Sequence, residues 1–352
     1  MIGISLNGAG GMTSVVRTYQ NCGFFDEWDV SYLSSYERPG LGSQLRVMIR
    51  ALVIFIHMLI RREVALVHVH SASRGSFWRK SIFCAVARAF RIPYIFHVHS
   101  GEFPTFVRSE CGPLARCWVR HTLRNARSVI TLTSSWRAEF AELVPGATIA
   151  VLGNPVFMPE RISALRENVG HVLFLGRLHE KKGVFDLVRA IPSVLEQIPE
   201  AKFTLAGDGD LHGVAGQAEM LGVSHVLNLV GWVDGAAKEA LLASADLLVL
   251  PSHYEGFSVS IVEAMAAGVP VVSTAVGGVP DVLEDGACGV LVAPRDVKAL
   301  ADALINTLLD TEANERMRER AFVRAKERFS IPKILGALGN IYHAAKLDKD
   351  KA

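Results

Sequence analysis

The chain has few cysteines. Its five cysteines, Cys22, Cys84, Cys111, Cys117 and Cys288, are scattered and odd in number across 352 residues. They form no metal-ligand pattern and no disulfide framework, which suits a reducing cytoplasm. Low-complexity tracts and tandem repeats of solenoid length are missing too. No stretch reaches 18 uninterrupted apolar residues, so nothing reads as a plain membrane span. The N-terminus lacks the charged segment, long apolar core and cleavage site of a signal peptide. No Walker A sequence occurs. Asn7-Gly8-Ala9-Gly10-Gly11-Met12-Thr13 falls short of G-x-G-x-x-G, because Thr13 stands where the third glycine belongs. It is a weak dinucleotide signal and reads as a tight turn that lets backbone approach a ligand.

Half the residues are hydrophobic, and the length allows two domains with separate cores. The net charge of +2 hides an asymmetry. Residues 1–150 hold 17 basic and 9 acidic residues, leaving 20 and 26 for the rest. A basic first half suggests an anionic surface or substrate on that side. No nucleic-acid-binding motif accompanies the charge, so no nucleic acid partner is expected.

Short β-branched runs alternate with helical stretches, the pattern of a parallel α/β architecture. Strands are predicted at 2–6, 30–33, 65–70, 94–99, 128–132 and 149–152, then at 171–175, 202–206, 226–229, 247–250, 269–273 and 289–292. Two sets of six imply two doubly wound, Rossmann-like domains facing a central cleft. The expected division is 1–158, 159–330 and a terminal helix in 331–352 that packs back on the first domain.

The richest stretch runs from Tyr254 to Ala264. It places Glu255 and Glu263 across a Gly256-Phe257 turn, after the buried run Leu247–Pro251. A helix starting at Ser258 or Ser260 points unpaired N–H groups into the crevice at the strand's carboxyl end and favours an anion there. The carboxylates suit sugar and ribose hydroxyls. Two alternatives stand beside this. Ser260-x-x-Glu263 fits a capping box. The pair also fits a glycosidase's two carboxylates, although eight helical residues span about 12 Å, beyond the roughly 5–9.5 Å that chemistry uses.

Gly176-Arg177-Leu178-His179-Glu180-Lys181-Lys182-Gly183 follows the first strand of the second half. An arginine fork and a lysine there make a diphosphate clamp. His68-Val69-His70 and His97-Val98-His99 end two strands, each pair on one sheet face. A metal-dependent hydrolase on these pairs lacks a convincing further ligand. His99 is the better chemical residue, and His97 is expected to bond internally. Asp208 and Asp210, flanked by glycines, read as a turn rather than an ion site. The 277–281 loop is a further strand-to-helix turn. The segment 43–62, apolar at its centre and flanked by Arg46, Arg50, Arg61 and Arg62, reads as a core-packed helix or as one lying on anionic lipid.

Together, the Gly-Arg-Leu…Lys-Lys-Gly element, the Gly-Asp-Gly turn, Pro251-Ser252…Glu255-Gly256-Phe257, the Glu255–Glu263 spacing and Gly277-Gly278-Val279-Pro280 resemble the family 4 glycosyltransferases, a retaining class with the GT-B fold. The resemblance implies that the nucleotide-sugar donor binds the second domain. Arg177 and Lys182 would hold the diphosphate, Glu263 the ribose and Glu255 the donor sugar. Backbone near Gly256, Phe257, Ser258 and Val259 would support phosphate and sugar, with Val233 near the base. His99 and the Gly10-Gly11 turn would close the site. It implies no metal and no cofactor, because the nucleotide sugar is a substrate. A cell-surface glycan or lipid-linked acceptor is expected, at the cytoplasmic face of a membrane. The competing readings are a non-catalytic nucleotide-binding protein of the same fold and the metal hydrolase.

Overall fold

The computed structural model describes residues 1–7, 10–37, 40–160, 162 and 170–347. Gly8 and Ala9 of the glycine turn lie outside the described residues. The chain forms two compact units, Met1–Pro155 with Ile331–Ala352, and Val156–Ser330.

Each unit carries a six-stranded sheet in which every paired neighbour is parallel. The first contains β1 (Ile2–Gly3), β2 (Leu33–Ser34), β3 (Val67–Ser71), β4 (Tyr94–Val98), β5 (Ser128–Thr131) and β6 (Ile149–Val151), in the order β2-β1-β3-β4-β5-β6. The second contains β7 (His171–Leu175), β8 (Lys202–Ala206), β9 (Leu227–Gly231), β10 (Leu247–Leu250), β11 (Val271–Thr274) and β12 (Val290–Val292), in the order β12-β11-β10-β7-β8-β9. Counted from its own first strand, the second order is 3-2-1-4-5-6. Both are doubly wound α/β sheets, and the architecture is GT-B. The strand order reverses between β7 and β10, and between β1 and β3. Ligands of such sheets bind at the strands' carboxyl ends at these reversals.

The apolar runs produce strands buried on both faces, as in β3, β4, β5, β10 and β11. Several strand ends differ from expectation, and two have a clear cause. β1 stops at Gly3 because the Ile4 carbonyl accepts the Tyr32 hydroxyl at 2.5 Å and the Ser5 N–H turns to Tyr36 O. β11 begins only at Val271: Pro270 has no N–H, and that of Val269 closes the preceding helix on Ala264 O.

The helix Ile331–Leu347 belongs to the first unit. Ile334, Leu338, Tyr342 and Ala345 form one stripe against Val15, Tyr19, Phe24, Ile95, Ile130 and Leu152. Tyr342 meets Phe24 edge-on at 5.3 Å. The helix Leu41–Ile60 is not the core-packed element that one reading expected. It buries a narrow stripe, Ala51, Phe55 and Leu59, while Leu45, Ile49, Val53 and Ile60 are 59%, 53%, 61% and 65% exposed.

Candidate active site

In the second unit, the loops after β7 and β10 meet at the sheet's reversal point. Arg177 follows β7 and reaches Asp208, after β8, at 3.2 Å. Both are exposed, so the pair is weak, and the guanidinium is easily drawn to a competing phosphate. Lys182 closes a short 3-10 turn, Glu180–Lys182, and pairs with Glu255 beyond β10. Glu255 is buried, and the ammonium offsets the cost of burying its charge. The loops approach closely because two positions lack a side chain. A Cβ on Gly183 (φ 69°) would collide with the Pro251 carbonyl, and one on Gly277 (φ 55°) with that of Glu255. Both φ values also disfavour other residues.

The helix Val259–Ala267 starts at Ser258, whose hydroxyl accepts from Ile261 N at 3.4 Å. Ser260 is therefore the second helical residue, and the Ser260–Glu263 capping box does not form. Helix geometry leaves the Val259 and Ser260 N–H groups without an intrahelical acceptor, at the positive end of the helix dipole. Glu263 turns to Lys238, 2.5 Å away on the helix Gly235–Ser244. Burial raises the Glu263 pKa, and Lys238 opposes that rise. Phe257 is buried edge-on to Phe329 at 5.6 Å, so its ring is committed to packing. Gly256 lies in the same loop. Val233 is half-buried just past the edge strand β9, at the carboxyl ends of the strands.

Asp210 caps the helix Leu211–Met220 by accepting from Gly213 N at 2.9 Å, and Asp208 faces Arg177. Neither carboxylate is left for an ion. Buried Asp186 accepts from His253 Nε2 at 2.6 Å and from Arg189, tying the helix after β7 to the loop after β10.

In the first unit, Gly10 (φ 145°) precedes the helix Gly11–Asn21 and offers no side chain to cap it. His99 stands just past β4, partly exposed, with its N–H on Ser71 O at 2.8 Å. His68, His70 and His97 are at most 2% exposed. Their ligating atoms lie within 4.8 Å of one another, but such burial leaves no open position for a hydrolase's substrate.

Four polar partners were not foreseen. Lys238, Asp186 and His70 meet Glu263, His253 and His99 through the fold, whereas buried Lys80 meets Ser76 one helical turn away. Of these, His70 was signalled by the His68-Val69-His70 triplet and Asp186 by its charge inside the apolar run Val184–Val188.

Residues 160–324 match the family described as Glycosyl transferases group 1, and residues 9–155 the Glycosyl transferase 4-like domain. An uncharacterized glycosyltransferase of Methanocaldococcus jannaschii is 30% identical over 72% of this chain and 70% of its own length. The chain belongs to the group 1 glycosyltransferases. A glycogen synthase of Mycobacterium tuberculosis is 34% identical to this glycosyltransferase over 74% of the chain. That match spans 66% of the synthase's length. The fold is shared with sucrose-phosphate synthase from Thermosynechococcus elongatus (TM-score 0.77, 19% identity, 97% and 98% of the two chains). Anabaena HepE in complex with UDP is alike to the same degree (TM-score 0.76, 20% identity, 97% and 98%).

Proposed function

We propose that this glycosyltransferase moves a sugar from a nucleoside-diphosphate donor, with retention of configuration, to a glycan or lipid-linked acceptor. The pathway would be cell-surface polysaccharide or glycolipid synthesis at the cytoplasmic face of a membrane. The observation that carries the proposal is the meeting of Arg177, Lys182, Glu255 and the Val259 helix start at one reversal point.

Breaking the sugar–phosphate bond leaves charge on the diphosphate. Arg177, Lys182 and the free N–H groups of Val259 and Ser260 stabilise it where it develops. Donor binding separates Lys182 from Glu255, which frees the carboxylate to accept from sugar hydroxyls. Glu263, held by Lys238, accepts from the ribose. Val233 borders the base, and Gly10, Gly11 and His99 serve the sugar and acceptor. Retention follows if the leaving phosphate oxygen takes the acceptor proton while the new C–O bond forms on the same face. The scheme uses no metal and no cofactor.

Thermal unfolding with UDP, GDP and ADP identifies the donor class. UDP is tried first because Anabaena HepE binds it. At 100 times the dissociation constant the right nucleotide stabilises by about 2.7 kcal/mol. Transfer of labelled sugar to lipid extracts, with the product anomer read by NMR, then tests the reaction. Stabilisation by a nucleotide without transfer from any matching sugar donor would leave a binding module and end the proposal.

The exposed stripe Leu45, Ile49, Val53 and Ile60, beside Arg46 and Arg50, supports a lipid surface as the place of the acceptor. Cosedimentation with anionic vesicles, lost in a Leu45→Gln, Ile49→Gln, Val53→Gln variant, is the expected result. Equal binding by the variant would remove the membrane from the proposal.

A further inference from the structure

The register of β3 and β4 sets His70 opposite His97, and alternation adds His68 and His99 to the same sheet face. The four rings pack together. Centroids are 4.3 Å apart for His68 and His70, 5.0 Å for His70 and His97, and 4.2 Å for His97 and His99. Three hydrogen bonds order them. His68 Nδ1 meets Tyr342 Oη at 2.8 Å, His68 Nε2 meets His97 Nδ1 at 3.3 Å, and His70 Nδ1 meets His99 Nε2 at 2.8 Å.

Burial, then charge repulsion, holds His68, His70 and His97 well below the usual histidine range. Burial and then Lys80 lower His99 to about 3. The rings are neutral near pH 7, so each carries one N–H. His70 Nε2 and His97 Nε2 are buried and have no partner among the described residues. A buried N–H without an acceptor is rarer than a bare acceptor and leaves a desolvated donor unpaired. The His70 proton therefore belongs on Nδ1, donated to His99 Nε2. His99 must then carry its own proton on Nδ1. The same reasoning puts the His97 proton on Nδ1, donated to His68.

A metal ion is the alternative occupant of His68, His70 and His97. The charged groups acting on these rings are one another, Lys80 and the Met1 amino group, with no carboxylate among them. Lys80 is fully buried and bonds Ser76 Oγ at 3.2 Å. A dication there would have no compensating charge.

We propose that His70 is a positioning residue. By donating Nδ1–H to His99 Nε2, it fixes His99 as an Nδ1–H donor toward a substrate oxygen and excludes His99 as a general base. This rests on the assignment of His99 to the sugar side of the proposed reaction.

The test combines side-chain ¹⁵N NMR with two variants. Wild type should show His99 protonated on Nδ1 and bare on Nε2. His70→Asn keeps an amide donor near the lost Nδ1–H and should keep kcat within about threefold, whereas His70→Leu should lower kcat or raise donor-sugar KM about tenfold. Stabilisation by the bare nucleotide should be the same in both variants, since it has no sugar for His99 to meet. His99 protonated on Nε2 in the wild type would overturn the proposal. So would His70→Leu with wild-type kinetics, or one equivalent of bound zinc that His97→Ala releases. If no donor supports transfer, the proposed reaction fails but the NMR still decides the tautomer. If His70→Leu does not fold, the wild-type spectrum and His70→Asn remain decisive.

Discussion

The two units share a six-stranded parallel sheet but handle polarity in opposite ways. In the second, charged side chains on the loops and helices past the strand ends form opposite-sign pairs: Arg177 with Asp208, Lys182 with Glu255, Lys238 with Glu263. Each pair can be opened by a stronger anion or by hydroxyls. In the first, Arg74 past β3 pairs with Glu102 and Glu110, but the sheet face itself carries neutral histidines, three of them buried, bonded to one another. Lys80, pushed down to about 7 mainly by burial, has no carboxylate partner among the described contacts. The second unit's pairs therefore meet changing charge, whereas the first unit's histidine cluster holds orientation without it.

The sharpest way to break this comparison is to remove charge from the second unit. Lys182→Ala should lower kcat about 10²–10³-fold. Glu255→Gln should abolish transfer of the donor sugar while nucleotide-induced stabilisation survives, as shown by calorimetry with the nucleotide alone.

Next is the backbone that brings the loops together. Gly277→Ala sets a Cβ against the Glu255 carbonyl at a left-handed φ. It should destabilise the second unit by more than about 3 kcal/mol, in the range of severe steric substitutions. Trp232 is the only tryptophan in Val156–Ser330, so its fluorescence in chains with the other four replaced by Phe follows that unit alone.

Acid separates the units further. Groups whose folded pKa lies below the unfolded value bind protons mainly when unfolded, so stability falls as pH drops from about 6.5 toward the folded pKa. For His99 that window runs from about 6.5 to about 3. Each such histidine should remove about 1.4 kcal/mol per pH unit across its window. The first unit, followed by Trp28, should unfold at a higher pH than the second. Equal acid midpoints would contradict the contrast between the units. Lys80 works at higher pH. Its burial cost is full below about 7 and fades by about 10.5, so Lys80→Met should stabilise at pH 6 but not at pH 10.

The smallest expected effect is Tyr342→Phe, which removes the hydroxyl at His68 and should cost about 1 kcal/mol by urea unfolding.

Much of this architecture was legible from the sequence. Buried parallel strands are apolar on both faces, so ten of the twelve announced themselves within a few residues. β1 was cut short by Tyr32 and Tyr36, contacts no local pattern encodes, and β2 begins three residues late at Leu33. The loop residues Arg177, Lys182, Glu255 and Glu263 were placed by strand ends and family motifs. Their partners were not: Lys182 and Glu255 are 73 residues apart, Lys238 and Glu263 are 25 apart. Alternation gave the histidines a shared face. Only the register of β3 against β4, set by the sheet, closed the bond between His70 and His99. The capping box failed because Ser258 and Ser260 compete for one helix start, and the loop geometry after Gly256 chose Ser258.

The helix Ile331–Leu347 completes the core around Val15, Tyr19 and Phe24, so the first unit is finished by residues synthesised after the whole second unit. During translation the whole second unit leaves the ribosome while that apolar surface is still bare. Chaperone dependence should therefore fall on the N-terminal half of the nascent chain, even though it emerges first.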